Sequence, residues 1–193
     1  MPDTPVPTAN PAALGLVGFG MTTVLLSLTN AGLLPAQGEA VVVPLALTYG
    51  GLIQIIAGLL EFRLGNTFGM TAFLSYGAFW WWFALLGILA KLGVIDTSGA
   101  GATTGVALIL WGVLTAYLTV SAYRVSWVVF AVFMTLWVTF LLLGLGAALP
   151  SPMLHKWGGY LGVLCGVLAI YGSFAITANT AFGRTIVPFG ARS

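Results

Sequence analysis

Gln54 and Glu61 are the polar residues best placed to do chemistry in this chain, because both interrupt a long apolar run. They stand seven residues apart, close to two helical turns, so one helix presents both on nearly the same face. Asn10 before Pro11, and Asn66-Thr67 before another apolar run, have the character of helix starts. Backbone N–H groups at such a start, with a polar side chain beside them, hold a small anion without a full positive charge. Pro11 suits a first helical turn, where its missing N–H loses nothing. Thr71 extends the same polar set one turn on from Thr67. The plain reading of Gln54 is a hydrogen bond between helices, and that of Glu61 a local pair with Arg63 or a place at the membrane surface. The functional reading is a neutral polar pathway for a small carboxylate or an amphipathic neutral solute.

Other chemistries lack their residues. A proton pump normally shows a buried acidic relay, and no Asp, Glu, Lys, Arg or His lies at the centre of any apolar run. Acidic rings or a carbonyl filter, the marks of a cation channel, are not evident. His155 is the only histidine and lies far in sequence from the lone Cys165, so no cofactor and no metal site is expected. No clustered Ser/His/Asp set appears, which argues against an enzyme. The net charge of +2 comes from basic residues scattered singly at helix ends, so no nucleic acid partner is implied. Cys165 sits in an apolar run and reads as a packed, inert thiol.

The elements that position these groups are six apolar stretches, at residues 14–35, 40–62, 70–92, 103–121, 126–148 and 157–178. Each is close to the ~20 residues a helix needs to cross hydrocarbon. Charged residues are 5% of the chain, against about 25% in a soluble domain. The expected fold is therefore all-α, a polytopic membrane protein with six transmembrane helices in one bundle. No run alternates as a barrel strand does. The joins, at 35–38, 63–69, 93–102, 123–125 and 150–156, are short enough to make successive helices antiparallel. One domain spans 1–193, with a flexible cap at 1–10 and a tail at 179–193. The cap lacks the basic segment of a signal peptide.

With the N-terminus inside, Arg63, Arg124, Arg184 and Arg192 are cytoplasmic, and Lys91 and Lys156 lie outside. That split favours cytoplasmic termini, and the plasma (inner) membrane is the expected location. Gly158, Gly162 and Gly166 recur every four residues on one face of the last helix, a spacing that lets backbones approach closely. The contact is either within a protomer or between protomers. Trp127 and Trp157 begin helices beside basic residues and read as interface anchors. Trp80, Trp81 and Trp82 point in three directions, so at least one must face lipid or a neighbouring subunit.

Beyond composition, several blocks match in order. Asn10-Pro11-Ala12-Ala13-Leu14-Gly15-Leu16 resembles the opening signature of the acetate/succinate uptake transporter family. Residues 49–54 and 57–62 resemble its second-helix block, and 65–73 with Ser75-Tyr76-Gly77 its third. Phe182-Gly183-Arg184-Thr185, with Pro188 and Gly190, is similar to its C-terminal tail. One departure is Ala13, where the family often has a second proline.

The resemblance implies proton-linked uptake of acetate and related short carboxylates, succinate among them, by a hexamer in which each protomer has its own conduit. It also implies an apolar constriction of a Phe, a Tyr and a Leu. Phe19 in Gly18-Phe19-Gly20 and Tyr76 in Ser75-Tyr76-Gly77 match the first two. The leucine falls in the fifth helix, among Met134, Thr135 and Leu136, and is assigned to Leu136. Asn10, Gln54, Glu61, Asn66, Thr67 and Thr71 are the polar pathway candidates. A channel-like anion pathway and a carboxylate sensor that moves nothing are the alternatives. The partners expected are the carboxylate, protons, the bilayer and further copies of the chain.

Overall fold

The computed structural model describes residues 8–192, so residues 1–7 of the expected cap lie outside the described residues. Six helices are long and apolar enough to cross a membrane: α1 (Ala12–Asn30), α2 (Ala36–Arg63), α3 (Thr67–Lys91), α4 (Gly101–Val125), α5 (Trp127–Ala148) and α6 (Pro152–Phe182). An all-α bundle is the only way, short of a closed barrel, to satisfy every backbone group in hydrocarbon. α1 packs along α6, α6 along α5, α5 along α4, and the second half of α2 along α3. α3 and α4 scarcely meet, which leaves a gap in the bundle wall.

The helix ends obey local chemistry that hydropathy does not register. α1 stops at Asn30, short of the expected 35, and Gly32 then takes a φ of +72° to turn the chain. Ser151 caps α6, its Oγ accepting from Leu154 N at 3.5 Å, and Pro152 occupies the first turn. α6 therefore starts five residues before 157. It also runs on to Phe182, so residues 179–182 of the expected tail are helical. The fourth join shrinks to Ser126 alone, whose Oγ accepts from Val129 N at 3.0 Å.

The tail beyond Gly183 is tied down. Asn179 Oδ1 accepts from Ile186 N and Val187 N at 2.8 and 2.9 Å. Tyr171 donates to Pro188 O at 2.6 Å. The Arg192 guanidinium lies 3.6 Å from the ring centres of both Tyr123 and Trp127, a cation–π clamp that holds the tail on the α4–α5 corner.

α2 is not uniform. It opens with a single 3-10 turn, and residues Ala46–Ile53 widen into a π-helix just after Pro44. Proline lacks the N–H that a regular turn needs, and π segments recur at functional sites. The widened stretch leaves the Leu47 carbonyl free to accept from Trp81 Nε1 at 2.9 Å. After it, the regular segment Gln54–Arg63 turns Gln54, Ala57, Gly58 and Glu61 inward on one face.

The glycine stripe of α6 lies inside the protomer. A Cβ at Gly166 would stand 2.8 Å from Gly20 O, and one at Gly20 would stand 2.8 Å from Gly166 O. The two backbones touch there, which only glycine permits. Trp81 is 40% exposed while Trp80 is buried, so the outward-facing member of the tryptophan triplet is Trp81.

Candidate functional site

Where α3 and α4 part, a cavity of about 500 Å³ opens at the end of the bundle away from the termini. α1 contributes Thr23, Ser27 and Asn30, α3 contributes Phe79 and Trp80, and α5 contributes Thr139. Glu39 and His155 flank its mouth, and His155 Nε2 stands 3.2 Å from Asn30 Oδ1. No Lys or Arg lines it. Its inner end is closed by Phe19 and Leu136.

The same two side chains roof a second chamber of about 20 Å³, lined also by Tyr76 and Gln54. Phe19 and Leu136 are thus the wall between vestibule and chamber. The Phe19 and Tyr76 ring centres are 5.7 Å apart, and all three side chains are at most 5% exposed. Tyr76 is tethered: its hydroxyl lies 2.9 Å from Thr115 Oγ1, and Thr115 in turn donates to Trp111 O at 2.7 Å. A 20 Å³ chamber holds about one water. No carboxylate fits it with the three side chains placed as they are.

The polar candidates separate into two groups. Gln54 is fully buried, lines the chamber, and has no partner for either Nε2 or Oε1. Glu61 is 2% exposed, and its Oε2 accepts from Asn66 Nδ2 at 2.8 Å. Asn66 Oδ1 also accepts from Gly69 N at 3.1 Å, capping α3. Asn10 is exposed and its Oδ1 accepts from Ala12 N at 3.0 Å, while the N-cap position of α1 is Pro11. Thr67 is exposed and Thr71 half-buried, and neither lines the vestibule or the chamber. Asn10 and Asn66 each accept from a backbone N–H near a helix start, and neither lines the vestibule or the chamber.

Two residues at the passage are not evident from hydropathy or motif. Thr23 and Trp80 line the vestibule, and Thr23 Oγ1 and Trp80 Nε1 are buried without a partner. Each unpaired buried group costs about 1–3 kcal/mol, so folds rarely keep them without a use. Helical spacing is the signal that finds them. Thr23 is four residues after Phe19, and Trp80 four after Tyr76, one turn toward the vestibule in each case. The apolar ring therefore has unpaired donors on its outer side and an unpaired amide on its inner side.

Related proteins resemble this chain in sequence, and one in structure. The chain is 43% identical over 182 residues to the succinate-acetate/proton symporter SatP of Escherichia coli, covering 94% of this chain and 95% of that one. It is 36% identical to acetate permease A of Emericella nidulans, over 93% of this chain and 65% of the other. A solved structure of the bacterial acetate channel SatP superposes with a TM-score of 0.91 at 42% identity, over 95% of this chain and all of that one. The match to the GPR1/FUN34/yaaH family extends over residues 2–189, and this multi-pass membrane protein belongs to that family.

Proposed function

We propose that this protein takes up acetate and related short carboxylates such as succinate, together with protons, through a conduit in each protomer. The observation that carries the reading is the apolar ring of Phe19, Tyr76 and Leu136 between two sets of unpaired polar groups. An ionised carboxylate entering that ring sheds its water at a steep cost, while the neutral acid crosses far more cheaply. Thr23 and Trp80 offer O–H and N–H donors to a carboxylate before it loses its charge, and the Gln54 amide offers a donor and an acceptor after the ring. No buried cation is there to trap the anion, so release stays easy.

The vestibule faces outward in this reading, with both termini in the cytoplasm of a plasma (inner) membrane protein. Arg63, Arg124, Arg184 and Arg192 then fall inside, as the positive-inside rule prefers. Six copies assemble in this reading, and Trp81, 40% exposed in the single chain, is the candidate contact. Mass measurement of the detergent-solubilised particle checks the stoichiometry, and a stable monomer transporting at full rate rules the obligate hexamer out.

Liposomes containing only this protein test the transport itself. Labelled acetate enters faster under an inward proton gradient, and an anion current indifferent to proton concentration removes the coupling. Counterflow without large unitary current identifies a carrier, and large unitary current a channel.

Gln54→Leu separates role from packing. It deletes two unpaired polar atoms while keeping bulk, so thermal stability holds or rises. Acetate uptake falls about tenfold, the equivalent of one lost hydrogen bond of about 1.4 kcal/mol. Unchanged uptake in a folded Gln54→Leu protein takes Gln54 out of the pathway.

A further inference from the structure

Glu61 is a buried acid that the ring does not use. Its Oε2 has a single amide donor, from Asn66, and its Oε1 has no partner at all. Neither the local pair with Arg63 nor a surface place describes it, since Glu61 is buried with Oε1 unpartnered and Arg63 is exposed. α1 and α3 are the helices packed against this part of α2. α1 carries no titratable or charged side chain from Ala12 to Asn30. On α3, Tyr76 lies about two turns deeper, and Lys91 is at the opposite end. Gly69 faces the carboxyl with no side chain, and a Cβ there would come within 2.8 Å of Glu61 Cδ.

A carboxyl meant to stay ionised in a membrane has a cation or several donors around it. Glu61 has neither, and it stands one layer beneath the exposed turn formed by residues 63–67. Gln54 lies seven residues before it on the same inward face, about 10 Å toward the ring. Chamber amide and acid thus form a file leading from the constriction to the surface on the side of the termini.

We propose that Glu61 Oε1 is the proton-binding site of the transport cycle on the inner side of the ring. The inference rests on the proposed uptake function and assigns its proton a place. The acid that has passed the ring reaches Glu61 and gives up its proton. Its O–H bond breaks with the electron pair staying on the substrate carboxylate, and a new O–H bond forms on Oε1. The proton then leaves to the adjoining aqueous face, and Asn66 keeps its hold on Oε2 throughout.

Glu61→Gln keeps the shape and the acceptor for Asn66 but cannot exchange a proton. Two readouts on the full-length protein decide the matter. In membrane vesicles of one orientation, initial acetate uptake is measured at fixed external pH while internal pH is varied. Wild-type uptake falls about tenfold per unit once internal acidity keeps the site protonated, and the Glu61→Gln profile is flat. In infrared difference spectra, acetate addition to wild type changes a protonated-carboxyl carbonyl band that Glu61→Gln lacks. Carbon-13 at the acetate carboxyl moves the substrate's own band away, and Glu61→Asp, which keeps a carboxyl, shifts the remaining band if Glu61→Gln assembles poorly. Active wild-type vesicles with no internal-pH dependence, or a wild-type spectrum with no carboxyl change, overturn the assignment alone. Wild-type vesicles that take up no acetate overturn the transport reading and this assignment with it.

Discussion

Phe19→Ala joins the 500 Å³ vestibule to the 20 Å³ chamber and admits carboxylates that the intact ring excludes. Phe19 lines both cavities, so its ring is part of the material that divides them. The exclusion is steric, a clash against bulk in place of a preference for acetate contacts. One methylene of misfit in a tight apolar site already discriminates by about 10–200-fold. Removing a whole phenyl ring is expected to raise uptake of longer monocarboxylates relative to acetate by about tenfold or more. The competing outcome is a packing defect, since truncating a buried aromatic costs about 3–5 kcal/mol. Assembly is therefore assayed beside uptake. Tyr76→Ala acts in the same direction, and Tyr76→Phe is its control. The latter keeps the ring and loses only the tether to Thr115, so its substrate range stays close to wild type while the gate loosens. A well-assembled Phe19→Ala protein with unchanged range removes Phe19 from the constriction.

That experiment bears on residues that the sequence makes legible to different degrees. The six spans are readable because hydrocarbon tolerates so few charges that hydropathy alone marks them. The ends are less so. Ser126 and Ser151 decide where α5 and α6 begin through single side-chain caps, and a hydropathy window averages such residues away. The π segment Ala46–Ile53 has no periodic signature, because Pro44, Gly50 and Gly51 look like ordinary membrane-helix residues. Phe19 and Tyr76 are named by motif and Leu136 by its place in the fifth helix, and only three-dimensional packing shows which two separate the cavities. Thr23 is one hydroxyl among many in these helices. Its place four residues after Phe19 is visible in the chain, but its missing partner is a property of the assembled bundle. Trp80 is hidden in the same way within a tryptophan triplet, where two of three rings line the vestibule and the third supports α2.

Gly162→Leu is expected to abolish the folded protomer, helicity and assembly falling together. The four-residue spacing of Gly158, Gly162 and Gly166 is equally suited to an inner seam and to a subunit contact. Its neighbours decide between them. A Cβ at Gly162 would come within 3.0 Å of Ser27 Cβ on α1 and 3.4 Å of Thr139 Cγ2 on α5. One at Gly158 would meet Leu143 of α5 at 2.8 Å. A leucine must therefore wedge α1 and α5 away from α6, at the point where the Gly20 and Gly166 backbones already touch. Overpacking of this kind costs about 1–3 kcal/mol where side chains can yield, and more where backbone must move. Gly87 provides the contrast. A Cβ there meets nothing within 4 Å, so Gly87→Ala keeps the fold and gains helix propensity of about 1 kcal/mol. Circular dichroism and particle mass, measured together on both variants, read the outcome. A Gly162→Leu particle that shrinks to a helical monomer places this face between subunits and contradicts the α1–α6 seam. Because α1 carries Phe19 and Thr23 on the turns beside that seam, the close glycine contact also sets how near the constriction stands to α5 and Leu136.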